Sequence, residues 1–269
     1  MKNNIDLSKY EESQTIKYYN EYKEKSSKIV SILQNSINQD LESLAKSTDA
    51  TTVYESLKGW LLKFYAKELK NAFTCVGYDY DDFEKNIIIG FIMTLLKDET
   101  RARNLFNPLL ENNIVLEVKH YEDGRYEVIT KNFGTIICYK ARKLFNADKE
   151  VMKKIEELKD NLKDACHELS YFLIKRYSNL KAITGVMERD LNFKFYHTVV
   201  VDEYDYVIDL PNGVVMPKEQ YLKITSFKVL NEVTYDECLS ESKISKKFDK
   251  SGTLFDLLRN ALYKEIVNK

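Results

Sequence analysis

The spacing of apolar residues changes near residue 113, and that change points the chain to an α+β fold. Before it, Ile29, Val30, Leu33, Ile37, Leu41 and Leu44 recur at three- and four-residue steps, the repeat of one helix face. Val53, Leu57, Trp60, Leu61, Phe64, Leu69, Ala72 and Phe73 repeat the pattern. Phe83 to Leu96 is apolar nearly all round, the mark of a helix that others bury, and a shorter helix is expected over Arg101 to Leu110. After it, Ile114-Val115-Leu116-Glu117-Val118 and Tyr126-Glu127-Val128-Ile129 flank Asp123-Gly124. That dipeptide readily supplies the positive φ angles of a type I′ hairpin turn.

Further strands are expected over Thr135 to Tyr139, Lys181 to Met187, Phe193 to Val201, Asp205 to Leu210 and Phe227 to Val233. Helical spacing returns from Val151 to Tyr177, over Pro217 to Ile224 and over Leu254 to Val267. The expected organisation is a helical region at 1–112 and an α+β region at 113–269. No Ser/Gly-rich linker separates them, so the helical half is expected to pack on the mixed half.

Several function classes lose their support here. The 41 basic and 42 acidic residues leave no net charge calling for nucleic acid or an anionic membrane. The most apolar run, Ile87 to Leu96, is too short to cross a bilayer, and the first residues have no apolar signal core. The expected compartment is the cytoplasm, where thiols stay reduced. Cys75, Cys138, Cys166 and Cys238 form no CxxC pair, and no phosphate-loop or dinucleotide fingerprint is present. Neither zinc nor another cofactor is therefore expected.

One constellation carries chemistry: Cys166, then His197, then Asp209. If Asp202-Glu203-Tyr204 is the loop of a hairpin, position 197 faces position 209, with Cβ atoms roughly 4.5–5.5 Å apart. A carboxylate there can fix the imidazole tautomer and stabilise the imidazolium. A two-residue loop would shift the register and lose that opposition. Cys166 is the expected nucleophile, and a helix starting beside it would lower its pKa. Asp164 or Asp160-Asn161 can cap such a helix. The unbroken spacing from Val151 to Tyr177 allows the opposite reading, in which Cys166 sits mid-helix; a break near Asp160-Asn161 is the reading favoured here.

The stretch ACHELSYFLIKRY…AITGV…FYHTVVVDEYDYVIDL resembles the core of the transglutaminase-like branch of papain-type cysteine enzymes. The resemblance covers residues 160–213. It implies a helix bearing the Cys ahead of an antiparallel sheet bearing His and Asp on adjacent strands. It also implies Cys166 as nucleophile, His197 as general base and Asp209 as orienter, in a peptidase, amidase or acyl transferase acting on an amide or isopeptide bond of a protein or peptide. Three features depart from the family. Asp164 stands where many relatives have Gly, Thr198-Val199 follows the His in place of Ala-Trp, and no oxyanion side chain is assignable, which leaves the Cys166 backbone N–H.

Blander readings stand beside these. A cysteine on an apolar stripe is most often inert core. The chain could be a non-catalytic interaction scaffold with this fold, for example a phage- or mobile-element-encoded host-interference protein. His167 reads as a surface or supporting residue, since helix neighbours diverge by about 100°. Cys75, Cys138 and Cys238 read as structural, His120 as exposed, Trp60 as core, and Lys243 to Lys250 as a solvated face.

Overall fold

The computed structural model describes residues 7–37, 50–158 and 165–244. Leu41, Leu44, the capping candidates Asp160, Asn161 and Asp164, most of the lysine-rich 243–250 stretch and the expected helix over 254–267 lie outside the described residues. So do the side chains of Val53, Leu57 and Trp60.

Among the described residues the helices α1 (Leu7–Ile37), α2 (Ala50–Cys75), α3 (Tyr80–Lys97) and α4 (Glu99–Glu111) come first. Strands β1 (Val115–His120), β2 (Tyr126–Thr130) and β3 (Gly134–Lys140) follow. Next come α5 (Ala141–Leu144), α6 (Lys149–Glu157) and α7 (Cys166–Arg176). Strands β4 (Lys181–Arg189), β5 (Phe193–Val201), β6 (Tyr206–Asp209) and β7 (Val214–Pro217) lead to α8 (Lys218–Ile224), β8 (Lys228–Val233) and α9 (Tyr235–Ile244). The strands form one sheet in the order β1-β2-β3-β7-β6-β5-β4-β8, antiparallel at β3–β7, β7–β6, β6–β5 and β4–β8. The chain is thus α+β. No described helix is long and apolar enough to cross a membrane.

The chain forms two compact units. One comprises Met1–Val118, Val128–Thr135 and Glu188–Lys194; the other comprises Lys119–Glu127, Ile136–Met187 and Phe195–Lys269. In the first, α3 is the buried helix its composition demands: Phe83, Ile88, Phe91 and Ile92 are sealed from solvent. Asp79 caps its start by accepting from the Asp81 N–H, and Asp98 caps α4 in the same way through Arg101. Phe73 of α2 closes on Phe83 at 4.8 Å between ring centroids.

The second unit is built around Leu169, Leu173 and Ile174 of α7, Val200 of β5, Ile208 of β6 and Val215 of β7, all buried in one apolar cluster. The helical spacing from Val151 to Tyr177 is carried by two helices rather than one. α6 ends at Glu157 and α7 starts at Cys166. They are tied at both ends. Asp148, the N-cap of α6, accepts from Arg176 and Tyr177 at the far end of α7, and Lys154 near the end of α6 pairs with Glu168 in the first turn of α7.

Both expected hairpin turns differ in detail. At Asp123-Gly124 only Gly124 has positive φ (86°), and Gly124 N–H donates to the Tyr121 carbonyl, so a three-residue loop ending in a left-handed glycine replaces the type I′ turn. In the β5–β6 hairpin Val200 faces Ile208 and Val201 faces Val207. The loop is therefore centred on Tyr204 rather than Glu203. The cause is local: Asp202 Oδ1 accepts from the N–H groups of Tyr204 and Tyr206, and Asp205 takes a left-handed φ of 60°.

Candidate functional site

Continued one step, the β5–β6 register sets Asp209 opposite Val199, so the direct opposition of positions 197 and 209 does not hold. The displacement is two positions along β5, which preserves the face of the sheet. His197 and Asp209 are diagonal neighbours, close enough for an imidazole to bridge. Nε2 of His197 stands 3.1 Å from Oδ2 of Asp209. A carboxylate can only accept, so Nε2 carries the proton and Nδ1 is the nitrogen left to serve a second partner.

Cys166 is the group that interacts with this ring from another side, the imidazole lowering the thiol and the sulfur raising the imidazole. Cys166 is the first residue of α7, with Ala165 as its N-cap. The sulfur thus sits where the helix dipole favours negative charge, and the Cys166 backbone N–H is among those a helix leaves without an internal acceptor. Two side chains hold the front of α7 against β5. Ser170 Oγ donates to the Thr198 carbonyl at 3.2 Å, and Thr198 Oγ1 lies 2.6 Å from Nδ1 of His167.

Asp209 is fully buried, and its charge is matched by donors from three directions. Beyond His197, Oδ2 accepts from Asn212 Nδ2 and from the Tyr221 hydroxyl, both at 2.7 Å, and Oδ1 accepts from the Asn212 N–H at 3.2 Å. β7, a strand the sequence reading left out, pairs with β6 and sets Val214 opposite Asp209. That pairing makes the strand carrying the carboxylate interior to the sheet. Phe227 closes another side, its ring edge-on to His197 at 6.5 Å and tilted to Tyr221 at 6.1 Å.

These contacts decide the protonation states. Burial pushes the Cys166 thiol up, but hydrogen bonds from His167 and His197, and the charge of both rings, outweigh it and bring the thiol down to about 6. Burial lowers the His197 pKa, and Asp209 together with the Cys166 sulfur more than reverses this, raising it to about 10. Asp209 is driven up by burial and then held below the usual carboxylate range by His197, Asn212 and Tyr221. Cys138 is the internal contrast. Buried in the same unit without a charged neighbour, its thiol is raised to about 12 by desolvation alone. Burial makes Cys138 inert, while at Cys166 two imidazoles reverse the sign.

The structure therefore bonds His197 to Asp209 and brings Cys166 within electrostatic reach of the same ring. Cys138 and Cys238 are buried, as structural cysteines are, whereas Cys75 is exposed at the end of α2. His167 is half-buried against Thr198 and the thiol, closer to the chemistry than a surface residue. Asn212, Tyr221, Thr198 and Ser170 escaped the sequence reading. Only Asn212 had a local signal, the turn-forming Asp-Leu-Pro-Asn-Gly run at 209–213. No group of three or more His, Cys, Asp or Glu side chains among the described residues is arranged to hold a metal ion. No protein-family model, curated protein or solved structure matches this chain.

Proposed function

We propose that the unit carrying Cys166 is a cysteine-dependent hydrolase or acyl transferase of the transglutaminase-like, papain-type class, acting on an amide or isopeptide bond of a protein or peptide. One observation carries the reading: a thiol at the first residue of a helix is lowered by an imidazole that is itself hydrogen-bonded to a buried carboxylate. A structural cysteine in the same unit shows no such partners.

In this reading the thiol proton rests on Nδ1 of His197, leaving a thiolate beside an imidazolium that Asp209 stabilises. The sulfur attacks the amide carbon, the C=O pair moves onto oxygen, and the Cys166 backbone N–H at the front of α7 receives the oxyanion. Collapse of the tetrahedral adduct breaks the C–N bond, and the imidazolium gives its proton to the departing amine. The thioester then passes to water or to an amine, with His197 taking a proton from the attacker. Tyr221 and Asn212 hold Asp209 in the orientation His197 needs.

The near-complete burial of Cys166, 4% exposed, favours a second reading in which the same fold serves as a binding scaffold. Covalent trapping separates the two. Peptides bearing a carbonyl electrophile at the scissile position are incubated with the native protein, and the adduct is located by intact mass and peptide mapping. The enzyme reading expects stoichiometric labelling at Cys166, lost in His197→Ala while the fold persists. Labelling confined to exposed Cys75, or seen only after denaturation, leaves the scaffold.

A further inference from the structure

Among the described residues, His167 is the ionisable side chain beside Cys166 to which the proposed chemistry gives no task. It follows Cys166 directly on α7, and its ring is held from β5: Thr198, fully buried, sets Oγ1 2.6 Å from Nδ1. Thr198 is itself fixed, because its carbonyl accepts from Ser170 Oγ one turn further along α7. The imidazole is thus held next to Cys166 in α7 by the residue that follows His197 in β5. Both rings act on the thiol and lower it. His197 is buried and committed to Asp209, while His167 is half-buried at the solvent side.

We propose that His167 is a second imidazole serving Cys166: held in place by Thr198, it donates an N–H hydrogen bond to the sulfur and keeps the thiolate formed while His197 carries the proton. This deepens the hydrolase or acyl-transferase reading and rests on it. No bond is made or broken by His167. The thiol proton goes to Nδ1 of His197, and the His167 N–H points at the charge that develops. A hydrogen bond to the ionised form favours that form, the same physics by which backbone N–H groups depress a carboxylate.

Among the described residues, the charged and titratable groups near the sulfur are these. His167 and Glu168 come from α7, and Glu168 is paired with Lys154 of α6. His197 comes from β5, and Asp209 of β6 and Tyr221 of α8 act on it. Two donors thus converge on one sulfur. Removal of His167 leaves the His197–Asp209 pair intact, so the effects of the two histidines are separable.

The test is the pH dependence of Cys166 alkylation by iodoacetamide in the full chain, read by peptide mapping to exclude Cys75. Wild type is expected to show a midpoint near 6. His167→Gln is expected to raise that midpoint by roughly one pH unit and to slow alkylation at pH 6 roughly fivefold. Thr198→Val, which keeps the buried volume, shifts it the same way by less, and Thr198→Ser restores it. His197→Ala also raises the midpoint. An unmoved midpoint in His167→Gln, with His197→Ala displaced, overturns the second imidazole and leaves the enzyme reading standing. If neither variant moves it, both fall together. Should the Gln variant not fold, Thr198→Val decides: an unmoved midpoint there overturns the proposal.

Discussion

Asp209→Asn is the most informative single change, because the side chain keeps its shape and loses only its charge and one acceptor. In the native site four donor contacts converge on the carboxylate: His197, the Asn212 side chain and Tyr221 on Oδ2, and the Asn212 N–H on Oδ1. Asparagine can place its carbonyl at Oδ2 and keep three contacts as neutral bonds. Its NH2 then confronts the Asn212 N–H, donor against donor. Hydrogen bonds to an ionised acceptor are worth about 1.5–3 kcal/mol and neutral ones about 0.5–1.5, so the three kept contacts lose about 1 kcal/mol each and the fourth is lost outright. Breaking a buried charge pair independently suggests about 3–5 kcal/mol. Return of the proton from His197 to sulfur recovers part of this, leaving a net loss of about 3 kcal/mol at neutral pH. Urea unfolding of the unit carrying the site measures it. The difference between wild type and variant should shrink in acid. Asp209 is held below its unfolded value, so its contribution is complete above that value and fades as pH falls through the folded one. A loss under about 1 kcal/mol at neutral pH, or a pH-independent one, refutes the reasoning that Asp209 is an ionised partner of His197.

Three further outcomes follow from particular contacts. Tyr221→Phe removes one 2.7 Å donor from a buried carboxylate and should cost roughly 1.5–3 kcal/mol, with full His197 binding retained; urea midpoints at two pH values check this. Gly185→Ala places a Cβ 2.2 Å from the Lys228 carbonyl oxygen and 2.6 Å from the Phe227 ring, beside the β4–β8 bulge, so β8 must move and carry Phe227 off His197. It should cost about 3 kcal/mol and alter Cys166 alkylation, whereas Gly90→Ala, with open space at its Cβ and a place inside α3, should stabilise by roughly 0.5–1 kcal/mol. Stability of the second unit should also fall at both pH extremes. The raised His197 pKa supports the fold fully below about 6.5, and that support is lost as pH rises through about 10. The lowered Cys166 pKa works in the other direction, with support lost as pH falls through about 6; thermal melts across pH 5–11 read both limbs.

How far the sequence led depends on how local the determining physics is. The first helix was legible because Ile29, Val30 and Leu33 recur on one helix face, and burial follows that face. β5 was legible over its whole length, Phe193–Val201, as one β-branched and aromatic run. β7 was not: Val214–Pro217 is four residues ending in proline, too short for alternation to register. The hairpin register turned on Asp202, whose side chain captures two N–H groups and moves the loop centre by one residue. The face survived because the displacement along β5 was even. Asp209 stood out as a charge in an apolar strand, but Tyr221, twelve positions away on another element, is visible only once α8 folds over it. A break near Asp160-Asn161 is the favoured reading although apolar spacing continues across it, and the two helices do end at Glu157 and start at Cys166.

The central claim is an ion pair in the resting protein, thiolate at Cys166 and imidazolium at His197. Nitrogen-15 NMR of the histidine rings at pH 8 tests it without substrate. The expected spectrum has both ring nitrogens of His197 protonated, with one losing its proton in Cys166→Ser. A neutral, singly protonated His197 at that pH, beside a protonated thiol, contradicts the account.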